Sequence, residues 1–150
     1  MELTKSQEEY VKTIYLLQNE ESEARVTDIA QKLNKTKATV NNMVANLKEI
    51  GVLNHETYGN ISLTDEGKKL AKKALEAYDI VYLFLTDILK LEKEKAETEA
   101  TKIRATLDDE TLNKLAKYTH KELGLYSLEC GYDINKEQCR SCVKRTAAKK

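Results

Sequence analysis

Val26-Thr-Asp-Ile-Ala30-Gln-Lys-Leu-Asn-Lys35-Thr-Lys-Ala-Thr-Val40-Asn-Asn-Met-Val-Ala45-Asn-Leu-Lys-Glu-Ile50-Gly-Val-Leu-Asn-His55-Glu-Thr-Tyr-Gly-Asn60-Ile-Ser-Leu-Thr64 is the stretch that decides the fold. Val40, Met43, Val44, Leu47 and Ile50 recur at helical spacing and Gly51 follows as a stop, which predicts a helix with one stripe turned to a core. Upstream, Ile29, Ala30 and Leu33 mark a shorter helix with Thr27 as its expected cap. Asn34-Lys35 breaks that helix just before Thr36 caps the next. Downstream, Val52-Leu53 and Ile61-Ser62-Leu63 read as short strands around Tyr58-Gly59-Asn60, where glycine is expected to supply a positive φ. Helix, tight turn, helix and small hairpin in this order spell a winged helix-turn-helix, a shape that reads duplex DNA.

The face of the second helix opposite the apolar stripe carries Ala38, Asn41, Asn42 and Ala45, with Lys35, Thr36, Lys37 and Thr39 near its start. Amides pair with the donor and acceptor edge of adenine, Thr and Ala methyls meet the thymine methyl, and Lys reaches phosphate or guanine. Asn41 and Asn42 are the expected base readers. Asn60, at the tip of the hairpin, is expected against the DNA backbone.

Working outward, Ser6-Gln-Glu-Glu9 has the spacing of a capping box, and Tyr10, Ile14 and Leu17 continue on one face to about Asn19. Thr64 opens a long helix whose stripe of Leu70, Ala74, Tyr78, Val81, Leu85 and Ile88 exceeds what so small a domain covers alone. Ala96, Ala100, Ile103 and Leu107 mark another amphipathic helix, and Asp108 or Asp109 caps a further one through Leu112 and Leu115. The expected class is mainly α, in three parts. These are a winged helix-turn-helix over 1–70, a helical dimerisation domain over 71–125 and a cysteine-bearing segment over 126–150. The surplus stripe predicts a homodimer, as do the paired half-sites, about 34 Å apart, that such readers usually meet, with a self-contained helical cap as the alternative cover for that stripe.

The 150 residues hold no proline and are rich in Lys and Glu, which agrees with a helical chain. A formal net charge of zero argues against indiscriminate adhesion to DNA and shifts attention to local clusters. Such clusters are Lys68, Lys69, Lys72 and Lys73 after the wing, and Lys144, Arg145, Lys149 and Lys150 at the end. Glu2, Glu8 and Glu9 do not read as a signal peptide, and the apolar run Ile80 to Leu85 is too short for a membrane span. A cytoplasmic protein without a membrane partner is expected.

Ser6-Gln-Glu-Glu-Tyr10-Val-Lys-Thr-Ile-Tyr15, Arg25-Val-Thr-Asp-Ile-Ala30, Thr39-Val40, Leu63-Thr-Asp-Glu-Gly67 and Leu85-Thr-Asp-Ile-Leu89 together resemble the DtxR/MntR family of metal-dependent repressors over roughly the first 120 residues. The resemblance implies an N-terminal DNA-binding module, following helices that form a dimer, and iron or manganese controlling operator affinity. Its ligand positions correspond here to Glu9, Lys12, Tyr78, Thr101, Arg104 and Ala105. Glu9 keeps a carboxylate. Lys12 stands where the manganese branch has an acid, Tyr78 where the long helix has a histidine, and Tyr82 where the iron branch has a second-site glutamate. Thr101, Arg104 and Ala105 replace a cysteine or acid, a glutamate and a histidine. Divalent iron or manganese wants carboxylate and imidazole, so no metal is expected there. A pairing of Arg104 with Glu9 is an alternative way to join the helices.

Cys130, Cys139 and Cys142 lie beyond that resemblance, the last two as Cys-Arg-Ser-Cys. Thiolates two residues apart can reach one soft metal centre, with Cys130 returning from a loop, so an iron-sulfur cluster or zinc is expected. His120, a water, a small molecule or a second protomer would complete the set. The alternatives are a thiol redox sensor, or a metal-independent regulator whose cysteines bind nothing. An enzyme is disfavoured because the chain has no glycine-rich phosphate loop and only His55 and His120 as imidazole bases.

Overall fold

The computed structural model describes residues 2–21, 24–56, 59–124 and 134. The chain divides into two compact units, Met1–Ala74 and Leu75–Lys150. It is mainly helical, a helix-turn-helix with a small hairpin followed by a helical unit.

The first unit contains α1 (Lys5–Glu21), α2 (Val26–Leu33), α3 (Lys37–Glu49), β1 (Leu53–His55), β2 (Ile61–Leu63) and the start of α4 (Asp65–Leu83). Capping is local, and mostly where the sequence puts it. Asn34 ends α2 in the left-handed region at φ 54°, which its short amide side chain tolerates. Thr36 Oγ1 accepts from Thr39 N at 3.2 Å and opens α3, and Gly51 closes it at φ 82°. Two expected caps move. α1 is opened by Thr4 and Gln7, whose side chains each take the other's backbone N–H, at 3.1 and 2.9 Å, so the box sits two residues before Ser6. α2 starts at Val26 with Arg25 in the cap position and no side-chain cap, because Thr27 is already inside the helix.

β1 and β2 are antiparallel, with Leu53 opposite Leu63, Asn54 opposite Ser62 and His55 opposite Ile61. Gly59 N donates to Glu56 O at 3.0 Å. Glycine is required there for room and not for the expected positive φ: a Cβ would lie 2.9 Å from Glu56 Cβ. Val11, Ile14 and Leu17 of α1 meet Ile29 of α2, Val40, Val44 and Leu47 of α3 and Val52, Leu53, Ile61 and Leu63 of the hairpin in one core. Each such side chain contributes about 1.5–3 kcal/mol over leaving it exposed. The apolar stripe read from α3 therefore faces inward and turns the opposite face to solvent.

Thr64 ties the wing to α4. Its hydroxyl lies 2.8 Å from Gly51 O and 3.0 Å from Val52 O, and its oxygen accepts from Gly67 N at 3.1 Å. A Cβ on Gly67 would fall 2.0 Å from Val52 O, so the first turn of α4 packs on the hairpin only because that residue has none.

The second unit holds the rest of α4, a π turn over Phe84–Ile88, α5 (Lys93–Thr106) and α6 (Asp109–Glu122). The stripe read as one α-helix through Ile88 is therefore interrupted: Leu89 N donates to Phe84 O at 3.1 Å, five residues back. Val81 and Leu85 are buried within this unit against Ala77, Ile80, Ala96, Ala100, Leu112 and Ala116, so much of the stripe is covered by the chain itself. Asp108 caps α6, accepting from Thr111 N at 2.7 Å, and α6 runs past Tyr118 to Glu122. Ile134 is buried in the same core, and its N–H donates to Asn113 Oδ1 at 2.8 Å.

Candidate functional site

Along α3 and its leading turn, Lys35, Thr36, Lys37, Ala38, Thr39, Asn41, Asn42, Ala45 and Asn46 are all exposed, while Val40, Val44 and Leu47 are buried. One helix thus presents cations, hydroxyls, small groups and amides together on a single surface. The hydroxyls are not equivalent to the amides. Thr36 Oγ1 and Thr39 Oγ1 lie 2.8 Å apart, and Thr36 also caps the helix, so both are engaged at its start. Asn41 and Asn42 project from the middle.

The flanks of α3 are held. Gln7 Nε2 of α1 donates to Asn46 Oδ1 at 2.8 Å, and Lys48 Nζ donates to His55 O of β1 at 3.3 Å. Sequence reasoning missed Asn46, although it follows Asn42 by four residues on the same face. It also missed Gln7, whose partner is 39 residues away. Asn60 is half-buried, and its Oδ1 is turned inward with no hydrogen-bond partner among the described residues.

The second group of residues takes internal partners. In the first unit Lys12 is 7% exposed, and its Nζ lies 3.2 Å from Glu9 Oε2, one helical turn away. In the second unit Arg104 is 6% exposed, and both of its terminal nitrogens donate to Asp109 Oδ1 at 3.2 Å. Tyr78 stacks on Tyr82 with ring centroids 5.9 Å apart. Burial first, then the carboxylates of Glu97, Asp87 and Asp79, push the Tyr82 phenol above its ordinary value, so it stays neutral. Thr101 Oγ1 donates to Glu97 O at 3.1 Å, and Ala105 is exposed. His120 is buried in the second unit at 2% exposure, and burial lowers its pKa. Cys130, Cys139 and Cys142 lie outside the described residues, as do Lys144, Arg145, Lys149 and Lys150.

A helix-turn-helix with its apolar stripe inward and a polar reading face outward, joined through a wing to a helical unit, is the architecture of a DNA-reading transcriptional regulator. Residues 2–61 match the family described as iron dependent repressor, N-terminal DNA binding domain, and residues 64–121 match its metal binding and dimerisation domain. An uncharacterised HTH-type transcriptional regulator of Methanocaldococcus jannaschii is 34% identical over 120 residues, 79% of this chain and 96% of that protein. The HTH-type transcriptional regulator MntR of Bacillus subtilis is 30% identical over 143 residues, 95% of each. The crystal structure of T. acidophilum IdeR superposes with a TM-score of 0.72 at 21% identity, over 92% of this chain. The chain spans 62% of the length of that solved chain. The chain belongs to the DtxR/MntR family of metal-dependent repressors.

The divalent ion that this family implies does not fit the residues present at its positions. A carboxylate 3.2 Å from an ammonium already has its counter-ion, and a guanidinium cation repels a second cation. A neutral phenol and a threonine hydroxyl are poor donors to iron or manganese. Among the described residues, no three His, Cys, Asp or Glu side chains are grouped to hold a metal.

Proposed function

We propose that the chain is a dimeric transcriptional repressor that reads a duplex operator with α3. Lys35, Thr36, Lys37, Ala38, Thr39, Asn41 and Asn42 lie in the major groove and Asn60 lies beside the phosphate backbone. The observation that carries this is the exposed row of amide, hydroxyl and cationic side chains on a helix whose opposite stripe is buried. Family membership supports both the DNA and the homodimer, since the matched domains are described as DNA binding and dimerisation. Winged helix-turn-helix over 1–70, dimerisation helices over 71–125 and a regulatory segment over 126–150 are the working division. No described helix is long and apolar enough to cross a membrane. A cytoplasmic, non-enzymatic role goes with this reading.

Input passes through Cys130, Cys139 and Cys142 and not through the family's ion positions. Three thiols with a Cys-x-x-Cys pair favour an iron-sulfur cluster, with zinc as the second choice. Ile134 supports this placement: it lies between Cys130 and Cys139 and is bonded to Asn113 of α6, which links the segment to the dimerisation unit. His120, a water, a small molecule or a residue of the second protomer completes the set in this reading.

The test is anaerobic purification with iron, sulfide and zinc analysis, followed by binding to a duplex selected from a random pool. A coloured or zinc-loaded protein whose DNA affinity changes on Cys139→Ala is expected. Metal-free protein that answers only to oxidants would point to a thiol redox sensor. Metal-free protein whose affinity Cys139→Ala leaves unchanged would make it a metal-independent regulator. DNA affinity falling steeply with salt is expected in every case.

A further inference from the structure

The capping box of α1 continues into the reading helix. Thr4 N donates to Gln7 Oε1 at 2.9 Å, and Gln7 Nε2 donates to Asn46 Oδ1 at 2.8 Å. A backbone N–H only donates, so the first bond fixes which end of the Gln7 amide is oxygen. The second bond then fixes Asn46. Its oxygen is occupied, and its Nδ2, with two N–H donors, is the outward end of an exposed side chain. Asn46 follows Asn42 by four residues and so shares its face of α3.

We propose that Gln7 is a positioning residue for DNA binding, holding Asn46 so that its amide nitrogen donates to a phosphate oxygen of the duplex. The proposal rests on the reading of α3 as the groove helix. A phosphate fits better than a base for two reasons. Asn46 lies in the last turn of α3, whereas the N-terminal residues of a recognition helix reach base edges. Phosphate oxygens only accept, so a committed donor suits them and an outward amide oxygen would be repelled.

The probes are a duplex selected from a random pool by the full wild-type chain and a random duplex of equal length, both read by fluorescence anisotropy. Gln7→Ala and Asn46→Ala are each expected to weaken both duplexes by about fivefold, the worth of one neutral hydrogen bond, leaving their ratio unchanged. The double variant should be no weaker than Asn46→Ala alone, because Gln7 acts through Asn46. Gln7→Glu keeps an acceptor for Thr4 N, and with it the thermal midpoint, but offers no donor. Asn46 then turns its nitrogen inward and its oxygen toward the phosphate. This variant should bind less well than Ser6→Glu, which adds the same charge one residue away at an exposed position.

Wild-type affinity in Gln7→Ala, additive losses in the double variant, or equal losses for Gln7→Glu and Ser6→Glu would each overturn the proposal. A wild-type chain that selects no duplex would overturn the groove reading itself, and this proposal with it.

Discussion

The outer face of α3 and the residues at the family's ion positions treat polar chemistry in opposite ways. On α3 the amides of Asn41 and Asn42 stand exposed with Lys35 and Lys37 beside them, while the fold supports the helix from behind and at its ends. At the ion positions the charges are closed on themselves, Lys12 on Glu9 and Arg104 on Asp109, with the cations almost wholly buried. A polar surface left open is available for a partner. A buried cation paired at 3.2 Å has its partner already. The difference teaches that one chain can keep a polar face open on one helix while charges elsewhere close on one another.

The largest test of the open side is Asn42→Ala. Loss of an amide pairing to a base should cost about 1–3 kcal/mol of discrimination, measured as the affinity ratio between the selected duplex and one altered at the contacted pair. An unchanged ratio would remove Asn42 from the reading set. Next is the support behind that surface. Gly67→Ala places a Cβ against Val52 O and should destabilise the first unit by about 1–3 kcal/mol, read by urea unfolding. Smaller again is the cap: Thr36→Ala should cost about 1 kcal/mol of stability and weaken DNA binding through a frayed α3. The same change at Asp108 of the second unit should cost as much stability.

The smallest effect is a pH dependence and belongs to a buried ring of the second unit that is in neither group. His120 is buried in the neutral form, with its pKa below the ordinary ~6.5. Above about 6.5 the neutral ring costs nothing in either state. As pH falls below that value the unfolded chain takes up the proton first, so stability is lost toward the lowered folded-state pKa. Thermal midpoints between neutral pH and pH 5 should fall in the wild type and fall less in His120→Gln.

The elements legible in the sequence were those set by neighbours a few residues apart. Thr36, Gly51, Thr64 and Asp108 end or begin helices through bonds spanning three or four residues, and the stripe of α3 marks its own buried face. Errors arose where two local patterns competed. Thr4-x-x-Gln7 and Ser6-x-x-Glu9 both have capping-box spacing, and only the chain entry into α1 decides between them. The π turn at Phe84–Ile88 leaves no mark on an apolar stripe, because the register shift comes from backbone bonding. Partners set by the fold were also hidden. Within the second unit Arg104 meets Asp109 across the break after α5, and within the first Lys12 meets Glu9, two pairs that the sequence reading did not name. The tie from Gln7 to Asn46 exists only once α1 packs on α3.

Titration of the selected duplex by anisotropy, in chelator and again in excess manganese, tests the central claim most directly: operator reading has been uncoupled from the family's ion positions. Manganese prefers carboxylate and imidazole to thiolate, and repeating the titration with Cys130, Cys139 and Cys142 changed to Ser removes the remaining thiols. For the wild type and for the Ser variant alike, the same Kd is predicted in manganese as in chelator, whatever loss of the cysteines does to the Kd itself. A tenfold or greater tightening in manganese that survives the loss of the cysteines would contradict the claim.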